Sequence, residues 1–540
     1  MSSLYYQVKL LKMNSIFKVL TFVFFIIIVI YIIYSKRPPQ SISNNSCSPQ
    51  EIFPTTTINA ISTKKSNPDR LNLAKYIHLD LKGAPPKPNK FYESFFNFLK
   101  NLQMDVKGVL IEYEDILPLE GNLADIGHQA GYTKSDIKLI EKAAKENEIE
   151  IIPLIQTFGH LEWILKLEKF KSYRDHPNLP VVISPCLNDT YILLQDLLQQ
   201  TLDMHPNSNK IHIGCDEVML KNVHDQCYVK QMNKSERYVD HIRRIVNIVH
   251  KIRPGIRVLI WDDILRHDEF TKNDKLLNQL KGLVEPVSWN YAPTFHDYYK
   301  TLSAWEIYPK FFDNIWAASA FKGGFDRFSI TTNTTHHVLN NREWIHFMQS
   351  STFKENYFSA IILTGWSRFD HFMPLCDILP TAYPSLIYSL HILNTDQFLA
   401  NEPYYDCETL MKSVGKYSQL CKLLPGISIF SSISSLITIV SKIENLLKIL
   451  YTTSPEYNRK ILFIRRYELD SQLTELKVLQ KDLSSAKELL HRDLLNLYSK
   501  DVIDEWFDLY VVPVENRMYT AFIEFSPAFN ITSWARRPFS

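Results

Sequence analysis

Asp216 and Glu217 stand side by side at the end of His212-Ile-Gly-Cys-Asp-Glu217, where a short apolar run (Ile211, Ile213) stops. Side chains alternate along a strand, so adjacent carboxylates at its lip point at different atoms of one substrate. Different surroundings let one carboxyl keep its proton while its neighbour stays charged, the requirement for general-acid chemistry beside a stabilised cation. A polar turn opening a helix would use the same dipeptide, so the pair alone decides little. Similar groups recur along the chain: Asp80 and Lys82; Glu112, Glu114 and Asp115; Gln156 and His160; Trp261, Asp262 and Asp263; Trp289, Asn290 and Tyr291; Trp316; then Trp366, Arg368 and Asp370. Interleaved carboxylates and tryptophans make a poor core and a good sugar site. Indole faces stack on pyranose rings, while carboxylates, amides and histidine bond the hydroxyls.

Each set follows a short β-prone run. Eight such runs occur, at 76–81, 109–113, 151–155, 211–214, 258–261, 284–287, 315–318 and 361–363. Amphipathic helical stretches such as 135–145 and 238–252 fill most gaps. Eight strand–helix units in series predict a (β/α)₈ barrel over 71–395, whose strand ends converge on one mouth. An open doubly wound sheet would want a glycine-rich first turn, which this sequence lacks.

The remaining chain adds an address and an extension. Residues 16–34 are apolar except for Lys18 and Thr21. As a helix they would extend roughly 28 Å, about the hydrocarbon thickness of a bilayer. Ser35-Lys36-Arg37-Pro38-Pro39 follows with no small-residue cleavage site, which predicts an uncleaved anchor. The predicted organisation is a cytosolic tail and transmembrane anchor (1–37), a Ser/Asn/Thr/Pro-rich stalk (38–70), the barrel, and a helical extension (396–540). Asn-x-Ser/Thr triplets at Asn44, Asn188, Asn233, Asn333 and Asn530 favour a lumenal or extracellular body. In the extension, leucines at 469, 473, 476, 479, 483, 490, 494 and 497 with Ala486 form one helical stripe. It packs on the barrel or a neighbouring helix, or else zips two chains into a homodimer. The 60 basic and 58 acidic side chains leave a formal charge of +2 and no basic stripe, which argues against a nucleic-acid partner. Seven cysteines without a C-x-x-C pair argue against a zinc site or a disulfide scaffold, leaving room for a few structural disulfides; Cys215 reads as a small buried residue.

Several segments, in order, resemble glycoside hydrolase family 20, the β-N-acetylhexosaminidases, and especially its hexosaminidase D branch. They are His78-Leu-Asp-Leu-Lys-Gly-Ala-Pro-Pro86, Ile111-Glu-Tyr-Glu-Asp115, Gln156-Thr-Phe-Gly-His160, His212-Ile-Gly-Cys-Asp-Glu217, Trp261-Asp-Asp263, Glu285-Pro286, Trp316-Ala-Ala-Ser-Ala-Phe-Lys-Gly323 and Thr364-Gly-Trp366. The resemblance implies a barrel hydrolase of β-linked N-acetylhexosamine glycans with no cofactor and no metal, tolerant of N-acetylgalactosamine. It implies retention through the substrate's own 2-acetamido oxygen, an exception to the scheme with a protein nucleophile. By this match Glu217 is the general acid and Asp216 the carboxylate that holds the acetamido N–H. Trp261, Trp289 and Trp366 wall the pocket, and His160 and Asp80 contact the sugar or the catalytic pair. The sequence departs from the family in three places. Cys215 replaces the usual glycine before the pair. The sugar-gripping arginine near the first strand is absent, with His78, Asp80 and Lys82 in its region. Trp316 stands where a late-strand tyrosine orients the acetamido oxygen, a role that Tyr291 could take.

Two other readings follow from the same residues. A metal-dependent barrel hydrolase would use Asp80, His160, His212 and Asp262 or Asp263, but no closely spaced His-x-His or His-x-x-x-His set stands at a strand end. A membrane-anchored, non-catalytic glycan-binding barrel has no need of adjacent Asp-Glu at the lip.

Overall fold

The computed structural model describes residues 73–537, apart from 230, 351–352, 354–356, 400–406, 417 and 535. The apolar segment 16–34 and the stalk lie outside the described residues.

Eight parallel strands close into a barrel: β1 (Ala74–Asp80), β2 (Val106–Glu112), β3 (Glu150–Leu154), β4 (Lys210–His212), β5 (Arg257–Trp261), β6 (Glu285–Trp289), β7 (Ile315–Lys322) and β8 (Phe358–Gly365). β1 pairs with both β2 and β8, so the sheet has no free edge. All eight predicted runs are strands of this barrel. Alternate residues fill its interior: Tyr76, Leu110, Ile152, Leu154, Leu259, Trp261, Val287, Trp316, Ala318, Ala360 and Ile362 form one buried cluster. Small residues on β7 and β8 leave room there for the two indoles. The opposite faces of the strands pack under the outer helices in a second, larger core.

β7 runs four residues beyond the run read from the sequence, and this relocates Trp316. As the second residue of β7 it lies at the N-terminal end of the barrel, 2% exposed, with Nε1 donating to Glu285 at 2.8 Å. Its ring sits 5.0 Å from Tyr76. Trp316 is a floor residue, remote from the mouth, and does not line the site.

A small antiparallel hairpin, Arg174–His176 with Leu179–Ile183, interrupts the β3–β4 connection and was not expected. It supports the segment after Glu217. Asp175 accepts the backbone N–H of Lys221 at 2.5 Å and of Asn222 at 3.0 Å. The Cys186–Cys227 disulfide ties the same segment down from the hairpin's far side, and Cys407–Cys421 closes a second bridge. Cys215 and Cys376 are free and buried.

Beyond the last barrel helix, the extension pairs two long helices, Ile427–Thr453 and Arg466–Leu495. Leu469, Leu473, Leu476, Leu479, Leu483, Leu490 and Leu494 are all buried, so the stripe is consumed within the chain and the homodimer reading loses its seam. Ile427–Thr453 is long and apolar enough to cross a membrane by length and composition. Its Ile429, Ile433, Leu436 and Leu447 are buried while Ser431, Ser434, Ser435 and Lys448 are exposed, the division of an amphipathic helix that packs one face on the protein.

Candidate active site

The ends of β3, β4, β5, β6 and β8 bring most of the proposed residues to one mouth. Asp216 and Glu217 follow β4 with unlike surroundings: the Asp216 side chain is 12% exposed and that of Glu217 is 56% exposed. His160, beyond β3, reaches both with Nε2, at 3.4 Å from Asp216 Oδ2 and 3.2 Å from Glu217 Oε2. Gln156 Nε2 donates to Asp216 Oδ1 at 3.1 Å, and Asp263 Oδ2 accepts the Glu217 N–H at 2.9 Å. Tyr238 fixes the turn between them by donating to the Cys215 carbonyl at 2.8 Å.

The turn is strained where chemistry is placed. Cys215, Glu217, His160 and Glu114 have φ of 76°, 48°, 49° and 49°, all in the left-handed region that ordinary residues avoid. Gly214 is required for two reasons. Its φ is 70°, and a Cβ there would stand 1.8 Å from the Gln156 amide oxygen that lies behind Asp216.

Electrostatics bind the pair through one imidazole. Burial alone would lower His160, but Asp216, Glu217 and Glu162 outweigh it and raise the ring to about 10. The hydrogen bond from His160 holds Glu217 below the usual range. Burial raises Asp216, with His160 and Gln156 opposing and Glu112 adding to it. Burial and the Asp216 charge push Asp263 up to about 7.

An aromatic box stands beside Asp216. Trp289 stacks on Tyr291 at 5.3 Å and 21°, Tyr291 meets the edge of Trp366 at 6.4 Å, and Trp261 lies 6.1 Å from Trp366. Arg266 holds Trp289 from behind, 5.1 Å over its ring and bonded to its carbonyl at 3.2 Å. Burial raises the Tyr291 phenol; Thr364 and Trp366 act against it and Asp216 with it, which puts the hydroxyl between these groups. Trp261 Nε1, at the C-terminal end of β5, is buried and has no hydrogen-bond partner, so it is a free donor beside the box.

Asp80 behaves differently from expectation. One carboxylate oxygen accepts the Lys82 N–H at 2.9 Å and the other the Ser367 N–H at 2.7 Å. The first closes the turn after β1 and the second ties β1 to β8; with its side chain fully buried, Asp80 organises the mouth and does not face a sugar. Lys82, next in that arrangement, is buried, and its ammonium lies 3.4 Å from Glu114, 4.0 Å from Glu112 and 5.5 Å over Trp366. Burial disfavours the charge on Glu112, yet Lys82 and His78 hold it at about 2, while burial raises Glu114, with Lys82 opposing. His371, after β8, closes this side through Glu114 at 3.2 Å and Asp115 at 3.4 Å. Nothing in the sequence around His371 marks that role.

A closed parallel barrel with paired carboxylates, a histidine and an indole box at its C-terminal mouth defines a barrel glycoside hydrolase. The glycosyl hydrolase family 20 catalytic domain matches residues 70–287. Hexosaminidase D of Homo sapiens is 35% identical over 323 residues, which are 59% of this chain and 65% of that protein. Hexosaminidase D of Bos taurus is 34% identical over 331 residues, 61% of this chain and 94% of that one. The solved Flavobacterium johnsoniae chitobiase overlays with a TM-score of 0.48 at 12% identity, covering 85% of this chain and 74% of that one. The chain belongs to glycosyl hydrolase family 20, and its sequence is similar to hexosaminidase D within it.

Proposed function

We propose that this chain is a retaining exo-β-N-acetylhexosaminidase that removes terminal N-acetylgalactosamine or N-acetylglucosamine from glycoconjugates, with the substrate's 2-acetamido group as nucleophile. The observation that carries this reading is the division of labour at β4: a buried carboxylate beside an aromatic box, an open carboxylate next to it, and one histidine joining them. The box suits the acetamido methyl, and Asp216 accepts the acetamido N–H. The acetamido oxygen attacks the anomeric carbon as the bond to the glycosidic oxygen breaks, and Glu217 gives that oxygen its proton. Asp216 offsets the positive charge of the oxazolinium. Glu217 then takes a proton from water, which opens the oxazolinium at the anomeric carbon. Trp289, Tyr291 and Trp366 wall the ring, and His160 sets the protonation of the pair.

The test uses the full-length protein on 4-nitrophenyl N-acetyl-β-galactosaminide, the glucosaminide and the plain β-galactoside, with and without a thiazoline mimic of the oxazoline. Cleavage of only the acetamido sugars, blocked by the thiazoline, is expected. Equal cleavage of the plain galactoside would remove substrate assistance, and thiazoline binding without any cleavage would leave a glycan receptor.

The same reading puts the body in a lumenal or extracellular space, tethered through 16–34. Two disulfides and four exposed triplet asparagines (Asn188, Asn233, Asn333, Asn530) support it. Protein from a secretory eukaryotic host should lose mass on treatment with an N-glycanase; an unchanged mass would count against this address.

A further inference from the structure

We infer that Glu505, in the helical extension, is a positioning residue for the sugar-binding side of the barrel and acts through Arg368. The inference rests on the glycosidase reading above. Arg368 stands three residues beyond β8 and is 8% exposed. Its Nη1 and Nη2 each donate to one Glu505 oxygen at 2.5 Å, the two-pronged geometry in which guanidinium–carboxylate pairs are strongest. Its Nε donates to the Lys82 carbonyl at 2.9 Å and Nη1 also reaches the Met373 carbonyl at 3.0 Å. Glu505 in turn accepts the Leu375 N–H at 3.3 Å. One carboxylate on the helix Lys500–Tyr510 therefore fixes the segment after β8 and, through Arg368, the turn after β1.

What Arg368 holds in place is the pocket wall. Ser367 bonds Asp80 twice, N–H to carboxylate and Oγ to carbonyl, each at 2.7 Å, and Trp366 precedes it directly. Lys82 carries its ammonium over the Trp366 ring. Gly83 lets the guanidinium lie this close, since a Cβ would stand 3.2 Å from Arg368 Nε. Without Glu505 the buried guanidinium loses its paired counter-charge, keeping only the more distant Asp80, and is driven toward water with Ser367 and the Lys82 turn. Asp216 and Glu217 follow β4, across the barrel from β8, and are held by Gln156, His160 and Asp263 instead. Loss of the brace should therefore weaken sugar binding and spare the chemical step.

The experiment compares full-length wild type with Glu505→Gln, Glu505→Ala, Arg368→Gln and Arg368→Gln/Glu505→Gln, reading KM, kcat, thiazoline Ki and melting temperature. Expected in Glu505→Gln is a rise of about tenfold in both KM and Ki with kcat within about twofold, and a double variant no worse than Arg368→Gln alone. A lower melting temperature with Ki unchanged would overturn the inference, leaving the pair as glue between extension and barrel. A fall in kcat equal to the rise in KM would overturn it too. If Glu505→Ala fails to fold, the isosteric Glu505→Gln still decides. Wild-type protein that neither cleaves nor binds the thiazoline would instead defeat the glycosidase reading, and the brace with it.

Discussion

Glu217→Gln should lower kcat on substrates with a sugar leaving group by about 10²–10⁴-fold, the usual worth of a positioned general acid. The amide keeps the size of the side chain and its strained backbone, still clamped by Asp263 at 2.9 Å, but has no proton to give. Aryl glycosides with a nitrophenolate leaving group need little protonation and should lose much less. The hydrogen bond from His160 holds the Glu217 carboxyl low, which by itself opposes this role. The proton of the pair then rests on His160, raised to about 10, with Nε2 only 3.2 Å from the Glu217 oxygen. A glycan seated over Glu217 excludes water from a side chain that is 56% exposed without it. Desolvation favours the neutral acid, and the short contact provides the path for the proton to reach it. Matched kcat measurements on an aryl glycoside and a disaccharide test this. Equal losses on both would sink the acid assignment.

The barrel was legible because its strands are short apolar runs spaced by amphipathic helices, and all eight appear where those runs predict. Strand ends were less legible, since nothing local marks where pairing stops. Trp316 shows the consequence: Ala317, Ala318, Ser319, Ala320, Phe321 and Lys322 all continue β7, so the indole drops to the floor. Asp80 misled for another reason. A carboxylate at a strand end reads as a ligand until its partners are known, and one of those partners is the Ser367 amide, 287 residues away. Glu505 left no trace for the same reason, because Arg368 is 137 residues distant and neither position belongs to a repeat. The leucine stripe identified a helix but not what covers it, as periodicity reports a face and not its neighbour. The hairpin had a readable signal in Pro177-Asn178 between two extended runs, which is turn chemistry.

Asp216→Asn should reduce kcat/KM by about 10²–10³-fold on aryl and natural substrates alike, the scale of removing one preorganised electrostatic group. In the proposed mechanism Asp216 does not touch the leaving group, so no improvement in the leaving group can compensate. Its side chain is 12% exposed and already held at both oxygens, by Gln156 at 3.1 Å and His160 at 3.4 Å, so it meets the acetamido group without reorganising. An asparagine fits the same space, but its neutral oxygen is a weaker acceptor for the acetamido N–H and offsets none of the oxazolinium charge. Its NH₂ group can also turn toward Gln156 or the acetamide. Removing the carboxylate takes away the largest influence raising His160, so the imidazolium should lose its proton at lower pH and the alkaline limb of the pH profile should move down with it. The two substitutions therefore leave opposite signatures: Glu217→Gln separates good leaving groups from poor ones, and Asp216→Asn does not. Plots of log kcat/KM against leaving-group pKa for both variants distinguish them. A steeper slope for Asp216→Asn than for wild type would mean that Asp216 helps to protonate the leaving group, and the roles of the two carboxylates would have to be exchanged.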